Sequence, residues 1–225
     1  MRRLSLVLLF VLIALPAGGA ERWEMLPPTP APIPAARSGN ANVNGISIYY
    51  AVYGQGPPVI LLHGGLANAD YWGNQIKALM PRRTVIVMDS RGHGRSTRDT
   101  RPYGYDLMAD DVEKNPTFAA FIKRAGDEYR AHSSTPNEYD AFVEQISKMW
   151  ASEPNWTDAQ LQAIAAPVLV VDGDHDEAIK REHTEYIAAT VPHAGLLILP
   201  NASHFAFLQD PELFNFAVLH FLDEK

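Results

Sequence analysis

The chain contains no cysteine. That excludes disulfides, a thiol nucleophile and any thiolate-bound metal, and it suits a protein that meets oxidising conditions. Positive charge is in deficit. Nineteen Lys and Arg face 26 Asp and Glu among 225 residues, a formal net charge of −7. So acidic a chain is a poor partner for nucleic acid or an anionic membrane surface, and neither is expected. Internal repeats are lacking. Beyond the first twenty residues no apolar run approaches the roughly 20 residues of a spanning helix.

Those first twenty residues have an order of their own: "MRR", then "LSLVLLFVLIALP", then "AGGA". A basic start, a short apolar stretch and a small-residue end read as a secretory signal peptide over residues 1–20, cleaved after Ala20. The expected location is therefore the periplasm or the cell exterior. An anchor helix is the alternative, and the apolar run is short for one. Loss of Arg2 and Arg3 from the 19 basic residues would leave 17 against 26 acidic ones, a net of −9. Residues 21–39 read as a linker, because "PPTPAPIPAA" favours an extended polyproline form without a core. One domain follows over 40–225, apolar enough to build a core.

The domain opens with "GISIYYAVYG", an alternating strand or hairpin. "PPVILLHGG" and "TVIVMD" are apolar strands, with a helical stretch "NQIKALM" between them. "APVLVVDG" and "GLLILP" repeat the pattern around the helix "KREHTEYIAATV", and "PELFNFAVLHFLDE" is a last helix. Apolar strands alternating with helices predict an α/β fold: a mostly parallel sheet with helices on both faces. Chemistry in such folds gathers at the carboxyl ends of the strands.

Four motifs sit at those ends: "LLHGGLANADYW", "MDSRGHGRS", "VLVVDGDHDEAI" and "NASHFAF". In this order, over residues 43–111 and 160–225, the chain resembles the α/β-hydrolase superfamily. The resemblance implies a small-molecule substrate, an ester, a lactone or a similar acyl compound, and no cofactor. It makes His204 the general base and Asp176 the acid that holds its tautomer, with Asp174 as the alternative. The backbone N–H of Gly65, or of Leu66, would donate to the oxyanion.

Other readings compete with these. A histidine before a C-terminal helix is commonly a cap or surface residue. Asp172, Asp174 and Asp176 have the alternate spacing of a calcium loop, but Glu177 and His183 stand where that loop needs Gly and Glu, so no metal is expected. His63 and His93 read as structural. "NWT" and "NAS" match a glycosylation pattern that matters only in a eukaryotic secretory route.

The superfamily places its nucleophile in a G-x-S-x-G elbow between a strand and a helix. That motif is absent. Its expected place lies between "GHGRS" and "DGDHD". The nearest imitation there is "AHSST", with Ser133 and Ser134, but a helical pattern precedes it and Pro136 follows. Ser90 and Ser96 lie in an earlier turn without elbow geometry. No nucleophile is assigned. The chain passes from "YGYDLMADDVE" straight into a cap-like helical segment, residues 113–158, with helices near 116–131 and 138–151. Trp150 and Trp156 there are candidates for pocket lining or packing. A central strand–helix–strand block looks deleted near 111–114. Strands 58–63 and 167–172 must then pair directly or leave buried backbone groups unsatisfied, at roughly 1–3 kcal/mol each. Two functional classes follow: an exported serine hydrolase by descent, inactive as written, or a binding protein or decayed remnant on the same scaffold.

Overall fold

The computed structural model describes residues 20–43, 45–98 and 116–224. Residues 1–19 of the segment read as a signal peptide, and the join near 111–114, lie outside the described residues.

Strands β1 (Arg37–Val43) and β2 (Ile46–Tyr53) form an antiparallel hairpin. The chain turns at Gly45, whose φ of 77° suits glycine. β3 (Pro58–Leu62) leads through a 3-10 turn, Ala69–Trp72, into α1 (Gly73–Leu79) and β4 (Thr84–Met88). After the undescribed stretch come α2 (Pro116–His132), α3 (Tyr139–Trp150) and α4 (Asp158–Gln162). Then β5 (Val168–Gly173), α5 (Arg181–Thr190), β6 (Ala194–Leu199), a short α6 (Ala206–Gln209) and α7 (Pro211–Asp223) complete the chain.

The strands form two sheets: β1-β2-β4-β3, and β5-β6. The pairings β3–β4 and β5–β6 are parallel, and β1–β2 and β2–β4 antiparallel. The architecture is thus mixed rather than mostly parallel, because the hairpin adds an antiparallel edge. Val85 and Val87 of β4, Ile76 and Leu79 of α1, and Val218, Leu219 and Leu222 of α7 share one core. A second core joins Leu66, Tyr71, Tyr129, Phe142, Ile146 and Phe205. It brings α2 and α3 over the loop that follows β3.

β3 and β5 do not pair. Among the described residues each is the edge of its own sheet. The two outcomes expected from sequence were direct pairing or buried unpaired groups. Among the described residues the outcome differs: no strand covers the outer edge of β3, and Ile60 is 59% and Leu62 60% exposed. Water can satisfy an exposed edge, so the penalty moves from hydrogen bonding to apolar exposure. Burying each of these side chains would be worth roughly 1–2 kcal/mol, and that is forgone.

The linker expectation also needs amending. β1 begins at Arg37, inside the stretch read as linker, and the prolines upstream of it do not float. Leu26 packs on the α2–α3 core, while Ile33 and Ala35 pack on the α1–β4 core. The polyproline pattern specifies an extended backbone, but it does not say whether that backbone lies on a surface.

Candidate functional site

β5 and β6 are parallel and end together, with Gly173 opposite Leu199. Their two following loops therefore meet. A Cβ on Gly173 would lie 2.3 Å from the carbonyl oxygen of Ala202, so only glycine allows the strand end to abut the next loop. The Asp174 N–H donates to the Leu199 carbonyl at 3.0 Å and the His175 N–H to the Ala202 carbonyl at 2.9 Å.

These ties bring Asp176 to His204. The ring Nδ1–H donates to Asp176 Oδ2 at 2.9 Å, within the hydrogen-bond range expected of such a pair. The other oxygen, Oδ1, accepts from the Ala178 and Ile179 N–H groups at 2.7 Å each. The Asp176 side chain is 6% exposed and that of His204 40%. With the proton on Nδ1, the ring's basic lone pair is on Nε2. Burial by itself would lower the His204 pKa, but the hydrogen bond and charge of Asp176, with help from Glu177 and Asp172, raise it. Burial would raise Asp176, yet its bond to His204 and the positive charge there hold it low.

Asp172 stands behind the pair. It accepts from the Gly173 N–H at 2.8 Å and from the Thr184 hydroxyl at 2.7 Å. Burial first, and then the facing Asp176 carboxylate, push its pKa up to about 6. Asp174, the alternative acid, accepts instead from the Ala202 N–H at 3.1 Å. The three aspartates of the calcium-like spacing thus serve three different sets of partners. Among the described residues no group of three His, Asp or Glu is placed to hold a metal.

The loop after β3 is pinned by Asp89, a fully buried carboxylate at the end of β4. It accepts from the Ala69 N–H, the Arg95 N–H and the Arg95 Nε, each at 2.8 Å. Gly65 lies under the ring of Trp150, close enough that a Cβ there would come within 2.1 Å of it. Leu66 has a left-handed φ of 64°. Its N–H donates to His93 Nε2 at 3.2 Å. That amide is spent on His93, which leaves Gly65 as the oxyanion candidate. Burial first, then the neighbouring His63, push the His93 pKa down to about 3, so the ring stays neutral and able to accept. His63 Nε2 accepts from the Ser90 N–H at 2.9 Å. Both histidines therefore hold backbone.

The serines near the expected elbow have other tasks. Ser133 follows α2 rather than a strand. Its Oγ accepts from the Thr135 N–H at 3.0 Å in a local turn. Ser96, buried, donates to the Asp89 carbonyl at 2.6 Å and accepts from the Tyr49 N–H. Neither has the geometry of an elbow, and Ser134 is an exposed residue of the same turn as Ser133.

Beside Asp176 an open cleft of about 1200 Å³ is lined by Trp150, Trp156, Leu161, Ile179, Tyr186 and Glu177 among others. Trp150 both packs on Gly65 and lines this cleft, while Trp156 is 62% exposed. Sequence reasoning overlooked Glu177, whose Oε2 accepts from the His204 N–H at 3.2 Å. Its only signal was its position next to Asp176. It also overlooked Asp89, for which the "MDSRG" strand end was the available cue.

A family model described as the alpha/beta hydrolase fold matches residues 57–129. A non-heme chloroperoxidase of Kitasatospora aureofaciens is 41% identical over 70 residues, 31% of this chain and 26% of that protein. A putative carbamate hydrolase of Azorhizobium caulinodans is 38% identical over 82 residues, 36% of this chain and 29% of that one. These matches span under a third of either relative's length. Among solved structures, the enol-lactonase of Burkholderia xenovorans superposes with a TM-score of 0.61 at 17% identity, over 83% of this chain and 100% of that one. A bacterial membrane phospholipase A gives 0.63 at 16% identity, over 83% and 86%.

Proposed function

We propose that this chain, which belongs to the α/β-hydrolase superfamily, derives from an exported serine hydrolase of small esters or lactones and lacks its attacking residue. The observation that carries the reading is the Asp176–His204 pair, bonded at 2.9 Å at the carboxyl ends of two parallel strands, in a chain without a G-x-S-x-G. In this reading His204 is the base, Asp176 orients it, and the Gly65 N–H is one oxyanion donor. The serine and the second donor belong to a strand–elbow–helix–strand block missing near residues 111–114. That β3 and β5 have no partner on one edge among the described residues supports this reading, because two further parallel strands would join them into one sheet. Export rests on the "MRR", apolar, "AGGA" order alone. Detection of Met1 by intact mass on cytosolic material would refute export.

A fluorophosphonate probe tests the catalytic half, since it tags only an activated serine. The expected result is no labelling of the chain as written, and labelling once such a block is inserted near Val112. Stoichiometric labelling that vanishes in Ser133→Ala or Ser134→Ala would make "AHSST" the elbow and overturn the reading. A second reading, a binding protein on the same scaffold, is favoured by the cleft with its two tryptophans. Saturable quenching of tryptophan fluorescence by an aryl ester, abolished in Trp156→Ala, would support it.

A further inference from the structure

We infer that the N-terminal stretch Arg22–Met25 is a clasp that sets the conformation of the two loops carrying Asp176 and His204, with Arg22 and Trp23 as positioning residues. Arg22 spends its guanidinium on one target. Its Nε donates to the Asn201 carbonyl at 2.9 Å, its Nη2 to the Pro200 carbonyl at 2.6 Å, and its Nη1 to Asp210 at 2.5 Å. Asn201 has a left-handed φ of 55°, which asparagine adopts more readily than most residues. Asp210 caps α7 by accepting from the Leu213 N–H. One side chain therefore ties both ends of the loop in which His204 sits.

The clasp reaches the residues next to each member of the pair. Trp23 stacks on His175, the neighbour of Asp176, with centroids 4.3 Å apart and planes 11° from parallel. Gln209 Nε2 donates to the Met25 carbonyl at 2.8 Å, with the Trp23 carbonyl at 3.4 Å. The same Gln209 side chain accepts from the Ser203 N–H at 2.8 Å and donates to the Ser203 hydroxyl at 3.0 Å. Ser203 precedes His204. The clasp thus grips positions 175 and 203, and the 2.9 Å bond between 176 and 204 is set between them. Further along, Thr29 donates to Glu128 at 2.6 Å, and Glu128 also accepts from Asn68. That contact touches α2 and the loop after β3, and not the acid–base pair.

The inference stands whether or not the nucleophile block is present, so its test uses no turnover. In the full chain, NMR titration follows the His204 ring, which faces Asp176, Glu177 and Asp172. Exchange is followed at the His175 amide, bonded across the two loops. Arg22→Gln and Trp23→Leu are expected to lower the His204 midpoint and to speed His175 exchange by about tenfold or more. Trp23→Phe, which keeps a stacking ring, should restore most of both. Thr29→Ala is the control. It should lower the melting temperature without moving either readout. Unchanged His204 midpoint and His175 exchange in Arg22→Gln and Trp23→Leu would overturn the inference. So would equal changes in Thr29→Ala, which would reduce the strap to general stabilisation.

Discussion

Burial raises both Asp172 and Asp176, four residues apart, but His204 holds Asp176 low while the facing Asp176 carboxylate pushes Asp172 further up. Asp172 has its pKa raised to about 6, above its unfolded value, so the folded state binds the extra proton. Its contribution favours folding at low pH and declines as pH rises toward about 6. His204 is also raised. Its contribution is complete below the unfolded value near 6.5 and is lost as pH climbs through the folded one. Asp176 is lowered, and its contribution is in place above the unfolded carboxylate range. Asp172 should therefore make the melting temperature fall as pH rises from the ordinary carboxylate range to about 6, and His204 should extend the fall above about 6.5. Asp172→Asn should flatten that fall, and a slope as steep as the parent's would count against the buried pair. A second prediction concerns Gly65. Gly65→Ala would drive a methyl into the Trp150 ring, at a cost of about 1–3 kcal/mol. Combining it with Trp150→Leu should give less than the sum of the two single losses in denaturant unfolding, because the second change removes the clash.

At the scale of elements, β3 is the exposed feature. Among the described residues it offers an edge without a partner strand, and it bears two exposed aliphatic side chains, Ile60 and Leu62. Such an edge templates association unless charge or cover blocks it. We expect concentration-dependent self-association in light scattering, reduced by Ile60→Lys. A chain that stays monomeric at high concentration would show that this edge is covered in solution. Strands β2 to β6 and the helices of 116–132 and 139–150 were legible because their periods are strong and tertiary context agrees with them, whereas β1 was not. The loops meeting at Asp176 and His204 were legible through motif order, and Gly173 explains physically why they meet. The splitting of the sheet was legible only as a dilemma, since a list of strands does not say which edges water will reach. The strap was misread for a related reason. Proline density reports backbone shape, whereas Arg22, Trp23 and Thr29 find their partners more than ninety positions away. No local pattern encodes such contacts.

For the whole molecule, the question is what makes two sheets one folding unit. Among the described residues no strand pairing crosses from β1-β2-β4-β3 to β5-β6. Among the described residues the links are side-chain ones: α7, which places Val218, Leu219 and Leu222 on the β4 core and Phe214 on the Leu199 core, the core that joins Leu66 and Tyr71 to Phe205 and Leu208, and the N-terminal strap, which touches both halves. Side-chain packing couples less strongly than a continuous backbone ladder, so the smaller half should open first. Denaturant unfolding followed by amide signals of β2 and β4 should therefore lag behind that followed by amides of β5 and β6. A single two-state transition requires coincident curves from every probe. Coincidence in the chain as written would mean that α7 and the strap couple the halves fully, and would remove the main energetic argument for a missing central block. Separate curves here, merging into one when a strand–elbow–helix–strand block is inserted near Val112, are the outcome expected. Such an insertion would give β3 and β5 new parallel neighbours, cover Ile60 and Leu62, and bring a serine to the strand ends where His204 stands.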